Sequence, residues 1–196
     1  MAQATLRVGM SEQEYLALER TSGERHEYAQ GELYAMAGGT RAHSLIAGNI
    51  LRELGLALLD RPCEVHGPDL RIKIAATGRY TYADVLVVCG RPLFEDEQRD
   101  NLLNPRVIVE VLSDSTERYD RGEKFAQYRL IPSLLDYVLV SQRERLIERF
   151  RRQDDEWLFR ALGPGQRLSL ESIGCELEVD RAYLKVFDAP TDDGAA

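Results

Sequence analysis

The chain of 196 residues carries 25 lysine and arginine residues against 33 aspartate and glutamate residues, a formal charge of −8. This length suits one domain with short terminal extensions, and 44% hydrophobic residues exclude a disordered chain. The acidic balance argues against a protein that coats nucleic acid electrostatically, although it leaves room for a local basic groove. We expect a single domain over residues 11–187, between a flexible N-terminus at 1–10 and an acidic flexible tail at 188–196.

The cysteines and the apolar segments indicate a compartment. Cys63, Cys89 and Cys175 are far apart and form no C-x-x-C motif, so we expect neither a disulfide framework nor a cysteine zinc site. Cys89 ends an apolar run and is predicted to be a small buried hydrophobe. The sequence shows neither the apolar core of a signal peptide nor a run of about 18 apolar residues that could span a membrane. A cytoplasmic protein without membrane contact is expected.

Two helices and a hairpin are predicted in the N-terminal part. A capping-box pattern that begins at Ser11 predicts a helix over 12–20. A Gln-Gly pair predicts the turn of a hairpin over 26–36. Apolar residues that recur every fourth position from Ile46 predict an amphipathic helix over 41–59.

Strands dominate the remaining prediction. Those at 82–89 and 107–112 are nearly continuous in apolar residues, which indicates a sheet covered on both faces. The acidic segment 94–100 between them is predicted to face solvent. The other predicted elements are strands at 63–66 and 70–74, a helix from a capping-box pattern at 114–117 to residue 130, a strand at 134–141, a hairpin of 145–150 and 156–162, strands near 168 and at 175–179, and a short final helix. This order predicts an α/β sandwich, a central mixed β-sheet flanked by helices, with an N-terminal helix and hairpin.

Two carboxylates interrupt the apolar strands. Asp84 opens one of them and Glu110 lies in the middle of the other. Buried acids are rare unless they are paired or bind a metal, so an arginine or a backbone cap is one explanation for each. Two such acids on strands that could be neighbours favour a shared function. Two oxygen ligands at a sheet end suit Mg²⁺, which completes its octahedron with water and substrate phosphate.

A stripe of polar residues follows on the next predicted helix. Glu117, Asp120, Lys124 and Tyr128 share one helical face. One interpretation is a solvated face with an Asp120–Lys124 salt bridge. The other is that the helix folds back beside its preceding strand and brings Lys124 toward the carboxylates, where an ammonium could contact phosphate or orient an attacking water.

These residues carry a resemblance. A sheet-borne acid, a Glu on the next strand and a nearby lysine resemble the PD-(D/E)XK nuclease superfamily. Over about residues 10–187 the chain is similar to a bacterial family of small proteins classed as endonucleases, the Uma type. The most specific match is Glu-Val-Leu-Ser at 110–113, followed by Asp-Arg-Gly-Glu-Lys at 120–124 and Tyr128. Further matching segments are 28–33, 41–43, 83–88 and 135–139.

The resemblance implies a restriction endonuclease-like fold and a Mg²⁺- or Mn²⁺-dependent endonuclease that hydrolyses DNA. Asp84 and Glu110 would be the metal carboxylates, and the Val111 carbonyl a further ligand. The superfamily's Pro-Asp is Ala-Asp at 83–84 here, which leaves the carboxylate intact. The superfamily lysine two positions after the Glu is Leu112 here, and the Uma-type family uses a lysine on the following helix, Lys124, in its place.

Two further residues are second-rank candidates. His43 shares a helical stripe with core residues, and it is either hydrogen-bonded at the rim of the core or acts beside the metal. Glu32 follows the hairpin turn and is either a third acid of the site or a surface strand residue. The resemblance places both segments in the first part of the site.

DNA contact needs local positive charge, and residues 117–152 offer nine lysine or arginine residues against six acids. Arg143, Arg145, Arg149, Arg151 and Arg152 could line a phosphate groove or could simply solvate a hairpin edge. A homodimer is possible, since two copies could address two strands. The main alternative is a nuclease-fold module that binds nucleic acid or a protein and does not cut. A glycosidase-like carboxylate pair is less favoured, because only Trp157 offers a stacking platform.

Overall fold

The computed structural model describes residues 5–36 and 38–187, which form fourteen strands, five α-helices and one π-helical segment. Within these residues no helix is both long and apolar enough to cross a membrane. The predicted tail at 188–196 lies outside the described residues. The elements are β1 (Thr5–Arg7), α1 (Glu12–Glu19), β2 (His26–Ala29), β3 (Glu32–Ala35), α2 (Arg41–Ala57), β4 (Cys63–His66), β5 (Arg71–Ile74), β6 (Arg79–Tyr82), β7 (Val85–Cys89), β8 (Asn101–Leu102), β9 (Val107–Val111), α3 (Glu117–Tyr119), the π-helical segment (Asp120–Lys124), α4 (Phe125–Tyr128), β10 (Asp136–Val140), β11 (Ile147–Gln153), β12 (Glu156–Leu162), β13 (Arg167–Leu170), β14 (Cys175–Glu178) and α5 (Val179–Ala182).

The predicted helix at Ser11 and the predicted hairpin both form in the first part of the chain. The Ser11 hydroxyl accepts from the Glu14 amide, and the Glu14 carboxylate accepts from the Ser11 amide, which is the predicted capping box. At the turn between β2 and β3, Gln30 and Gly31 both take positive φ, +50° and +87°. Glycine tolerates this conformation at no steric cost, so the hairpin closes tightly here.

The helix predicted from 114–117 to residue 130 is different. No side-chain cap holds its start at Thr116, so the predicted second capping box is wrong. The single helix is replaced by α3, the π-helical segment and α4 in succession. A π-helix adds a residue to a turn, and such insertions often occur at functional sites. The insertion changes which side chains share a face after Asp120.

Two six-stranded sheets build the sandwich. One follows the order β1-β3-β2-β6-β5-β8, and the other, the central sheet, follows β12-β11-β10-β9-β7-β4. The central sheet is mixed, because β9 and β10 run parallel while its other neighbours are antiparallel. Strands β13 and β14 form a small antiparallel hairpin that, among the described strands, pairs with neither sheet. The mixed sheet flanked by helices confirms the predicted α/β class.

The central sheet separates two apolar cores. On one face, alternate residues of β7 and β9 such as Val87 and Val109 pack against Ile46, Ile50 and Leu54 of α2. On the other face, Leu86 and Ile108 join residues of β5 and α4. The β7 and β9 side chains are buried on both faces, which explains the continuous apolar runs in these strands.

Two segments predicted to be solvent-facing or flexible are held by specific contacts. Thr5–Arg7 pairs with β3, and Met10 is buried, which differs from the flexible segment predicted over 1–10; residues 1–4 lie outside the described part of the chain. In the acidic loop, Asp100 makes ion pairs with Arg20 and Arg71. Residues 96–99 of the loop are exposed, as predicted, and Asp100 links the end of α1 to β5.

The expectation that the cysteines remain unpaired is also wrong. Cys63 on β4 lies directly opposite Cys89 at the end of β7, and their sulfurs form a disulfide. The two Cα atoms are 4.0 Å apart. The pairing follows from the sheet register across a sequence separation of 26 residues, which no local motif reveals. Cys175 is buried and free.

We expect the disulfide to stabilise the edge of the central sheet. Reduction should lower the free energy of unfolding by about 2–4 kcal/mol, because the closed loop constrains the unfolded chain. Urea titrations with and without reductant measure this, and the Cys63→Ala/Cys89→Ala double variant is the control that should not respond to reductant. Alkylation in urea without reductant should modify one thiol, Cys175. Modification of three thiols would contradict the pairing.

Candidate active site

The register of β7 and β9 brings the two predicted acids together. Val85 pairs with Val109, so Asp84, one residue before β7, lies level with Glu110, one residue further along β9. The Val111 amide donates a hydrogen bond of 2.7 Å to Asp84 Oδ2. Glu110 is 4% exposed and faces the core beneath α4, whereas Asp84 is partly accessible. Both acids line one cavity of about 890 Å³ at this end of the sheet, and Val111 lines it with them.

His43 approaches Asp84 from the opposite face of the sheet. The Thr40 hydroxyl accepts from the His43 amide and caps α2, which fixes the first helical turn beside the cavity. His43 Nε2 lies 3.1 Å from Asp84 Oδ2. The hydrogen bond to Asp84 raises the pKa of His43, and burial lowers it by less. The structure therefore brings His43 to the predicted acids, and the ring is held in its protonated form more strongly than a free histidine.

Lys124 reaches Glu110 from the π-helical segment. Its ammonium lies 2.9 Å from Glu110 Oε1 and donates to the Tyr82 carbonyl at 3.0 Å. Tyr128, one turn later, donates to the same Glu110 oxygen at 2.9 Å. Asp120, Lys124 and Tyr128 are all buried, so the interpretation of this stripe as a solvated face is wrong. Glu117 alone of the stripe stays at the surface, in an ion pair with Arg121.

Glu27 is a third buried acid that sequence reasoning missed. It lies on β2, is fully buried, and its Oε1 is 3.5 Å from the Lys124 ammonium. Thr81 donates to Glu27 at 2.5 Å, and Tyr119 donates to it at 3.1 Å. No local signal marks it, because its neighbours in His26–Ala29 form no apolar run of the kind that surrounds Glu110. The hairpin pattern points to Glu32 on the next strand instead.

Glu32 lies outside this cavity. It is paired in register with Ala29, two residues beyond Glu27, and accepts a hydrogen bond from Tyr34. It lines a separate polar pocket of about 170 Å³ with Arg79 and Glu123. Of these two glutamates, it is Glu27 that lines the larger cavity.

Burial has the largest effect on the pKa values of the ionisable groups in the cavity, and neighbouring charges modify it. Burial raises the pKa of Glu110 well above its usual range, Lys124 offsets part of this, and Asp120 and Asp84 raise it further. Burial also raises the pKa of Asp120, as do Asp84 and Glu27. Burial lowers the pKa of Lys124, but Glu110 and the other surrounding acids outweigh it, so the net pKa lies well above its ordinary value. Lys124 therefore stays charged among the acids that surround it.

Glu27 has more partners and behaves differently. Burial raises its pKa, but Lys124, the Thr81 hydrogen bond and Arg79 lower it by more, so the net pKa lies below its usual range. A buried carboxylate that stays ionised holds its charge through these contacts. Glu27 therefore acts as a fixed anion against which Lys124 is held.

The predicted basic surface is only partly available to a ligand. Arg143 lines the cavity rim and pairs with Asp114, and both side chains are largely exposed. Arg149 is buried against Glu171 and the Ser169 carbonyl, so its prediction as a groove residue is wrong, because its β11 position faces inward. Arg151 also pairs with Glu171, the acid that Arg149 contacts. Arg152 donates to the carbonyls of Arg129 and Ile131. Arg145 pairs with Asp180 at the surface.

Gly39 offers a test of the His43 position. A Cβ at Gly39 would lie 2.9 Å from His43 Nδ1, whereas a Cβ at Gly38 would meet nothing within 4 Å. We expect Gly39→Ala to displace the imidazole from Asp84 and lower the pKa of His43 toward that of a free histidine, because the hydrogen bond that raises it is weakened. NMR titration of the ring measures this. Gly38→Ala should leave the pKa unchanged, and an unaltered value in both variants would contradict the contact.

Lys124→Met should destabilise the protein by about 3–5 kcal/mol at pH 7, because it leaves buried acids without their cation. The carboxyls then have folded-state pKa values above their unfolded values, so the loss should shrink as the pH falls and they take up protons. Urea titrations between pH 5 and 8 measure this. Lys185→Met, at an exposed position, is the matched control. A loss independent of pH would contradict the charge network.

Comparison with known proteins shows which protein family and which fold the chain matches. The model of the Uma2 family, described as "Putative restriction endonuclease", matches residues 12–182. Two uncharacterized proteins of Synechocystis sp. are 40% identical over 176 residues and 33% identical over 186 residues, covering 89% and 95% of this chain and 91% and 99% of their own lengths. The crystal structure of a protein from Anabaena variabilis, titled a "putative nuclease belonging to DUF820", matches with a TM-score of 0.74 at 15% identity, covering 91% of this chain and 99% of that one. The restriction endonuclease-like fold is thereby confirmed, and the chain belongs to the Uma2 family.

Proposed function

We propose that this protein is a Mg²⁺- or Mn²⁺-dependent endonuclease that hydrolyses DNA phosphodiester bonds. The observation that carries the proposal is the convergence of Asp84 and Glu110 on one cavity, with Lys124 2.9 Å from Glu110. The description of the Uma2 family supports nuclease chemistry. Asp84 precedes β7 and Glu110 lies on β9, so only the tertiary fold brings the two carboxylates together.

The donor set fits a divalent cation. Glu27, Asp84, Glu110 and Asp120 converge around Lys124 and His43, so four carboxyl groups face two basic side chains in one cavity. Carboxylate oxygens are the ligands that Mg²⁺ and Mn²⁺ prefer. Asp84 and Glu110 would hold the ion, with the Val111 carbonyl as the proposed further ligand. When bound, such an ion polarises a phosphoryl oxygen and lowers the pKa of a bound water.

The other residues have proposed roles that follow from their contacts. Lys124 offsets the charge of Glu110, fixes its orientation, and offers positive charge toward phosphate oxygens that enter the cavity. His43 positions Asp84 through the Nε2 contact and carries a proton at the cavity wall. Glu27 positions Lys124 through the 3.5 Å contact between its Oε1 and the ammonium. Glu27 and His43 are positioning residues in this proposal.

DNA is the proposed substrate because exposed cations stand at the cavity rim. Arg25 and Arg143 line the cavity and pair with Asp69 and Asp114, both highly exposed. Surface pairs of this kind are worth about 0–1 kcal/mol, so a DNA phosphate can replace the carboxylate. Few phosphate contacts on an acidic protein imply modest affinity that falls steeply with salt.

One observation favours a second candidate. Among the described residues no group of three His, Cys, Asp or Glu side chains is arranged to hold a metal ion. A module that keeps the nuclease fold and binds nucleic acid or a protein without cutting would need no such group. Mg²⁺ often binds through only one or two protein carboxylates, so we favour the nuclease.

Cleavage of supercoiled, linear and single-stranded DNA with Mg²⁺ or Mn²⁺ tests the proposal. We expect Asp84→Asn and Glu110→Gln each to lower the cleavage rate by at least about 100-fold while retaining the fold, because each removes a negatively charged ligand. Calorimetric titration with Mn²⁺ should show weaker binding in both variants. Asp60→Asn, at an exposed position outside the cavity, is the matched control.

Activity that survives both substitutions would overturn the site. A wild-type protein that binds DNA, binds neither ion, and cuts no substrate would instead establish the non-cleaving module.

A further inference from the structure

Strand β12 forms an open edge of the central sheet. It pairs with β11 on one side, and no other strand of the described residues pairs with its opposite side. Its seven residues are mostly exposed, including Leu158 at 47% and Phe159 at 56%. A long edge strand with exposed apolar residues presents free backbone N–H and C=O groups, and proteins usually shorten, cover or charge such edges.

The two faces of β12 differ in character. Trp157 and Phe159 share one face, where Phe159 lies opposite Phe150 of β11 and Trp157 contacts Phe125. Glu156, Leu158 and Arg160 share the other face. Each face therefore carries a short pattern that runs along the open edge, aromatic on one side and charged–apolar–charged on the other.

The two charges on this strand have no partner in the monomer. Arg160 lies opposite Arg149 of β11, and Glu156 lies opposite Gln153. Within the described residues neither Glu156 nor Arg160 makes an ion pair or a side-chain hydrogen bond. Arg149 already pairs with Glu171, so Arg160 faces a like charge across the strand pair and has no acid of its own among the described residues.

We propose that β12 pairs antiparallel with β12 of a second copy of this chain about a two-fold axis at Leu158. This register sets Glu156 opposite the second copy's Arg160, and by symmetry Arg160 opposite its Glu156. It also sets Trp157 opposite Phe159 twice and Leu158 opposite itself. Residues directly opposite in an antiparallel pair share a face, so every contact joins groups of matching chemistry.

The charges select this register over its neighbour. An axis at Phe159 also keeps the backbone pairing, but it sets Arg160 opposite Leu158 and Glu156 opposite Leu162, so both ion pairs are lost. A one-residue slip without symmetry would set residues of opposite faces against each other. The axis at Leu158 alone joins both ion pairs and both aromatic pairs.

The dimer joins the two central sheets into one continuous twelve-stranded sheet. An isologous interface of this kind uses the same strand on both copies and closes the edge. Each copy keeps a complete cavity, since Asp84, Glu110 and Lys124 lie on other elements. The proposal is therefore independent of the proposed nuclease activity.

Charge reversal tests the register directly. Glu156→Arg and Arg160→Glu each set like charges opposite one another, and each should weaken dimerisation at least tenfold, measured by sedimentation velocity over a concentration series at low salt. An equimolar mixture of the two variants should restore dimers, all of them mixed, because the charges are then complementary. The Glu156→Arg/Arg160→Glu double variant should dimerise like the wild type.

Glu97→Arg and Arg91→Glu are matched controls at exposed positions away from β12, and neither should alter dimerisation. Circular dichroism confirms that each variant is folded. A wild type that stays monomeric up to about 1 mM, single variants that dimerise like the wild type, or a mixture that forms no mixed dimers would each overturn the proposal.

Discussion

The buried contact between Lys124 and Glu110 is the interaction on which the site depends. It joins a π-helical segment to the middle strand of the central sheet and removes two charges from water. Desolvating an isolated ion costs several kcal/mol, so the pair persists only because further groups complete it. Tyr128 and the Tyr82 carbonyl supply those contacts, and Glu27 adds a second anion to the ammonium. Removing any one of these groups would leave a buried charge or a buried polar group without its partner.

The cavity also depends on the sheet being covered on both faces. His43 comes with α2 from one face and Lys124 comes from the other, and both line the cavity beside Asp84, just before β7 begins. A helix on one face alone could supply only one of them. The layered architecture thus determines which residues can meet, while the short contacts determine how they are oriented.

Sequence reasoning found what local physical signals reveal. Asp84 and Glu110 stand out because an acid inside an apolar strand is costly, and the structure brings them together as expected. Glu27 lies in a short strand with polar neighbours, so no apolar run marks it, and the hairpin pattern points to Glu32 instead. The burial of Lys124 could not be predicted from the polar stripe that it shares with Asp120 and Tyr128, because the same spacing is typical of a solvent-exposed helix face. The Cys63–Cys89 pairing and the inward face of Arg149 depend on strand register, which no local pattern determines.

The long sequence separations within the site bear on how the protein folds. The Val111–Asp84 hydrogen bond spans 27 residues, the Lys124–Tyr82 bond spans 42 and the Thr81–Glu27 bond spans 54. Contacts of such separation form late, because loop-closure entropy is lost before they add stability. The helices can therefore form before the acids and the lysine meet. During synthesis, the ribosome must release β9 and the π-helical segment before this cavity can assemble, so a nascent chain that ends before Lys124 carries Glu110 without its cation.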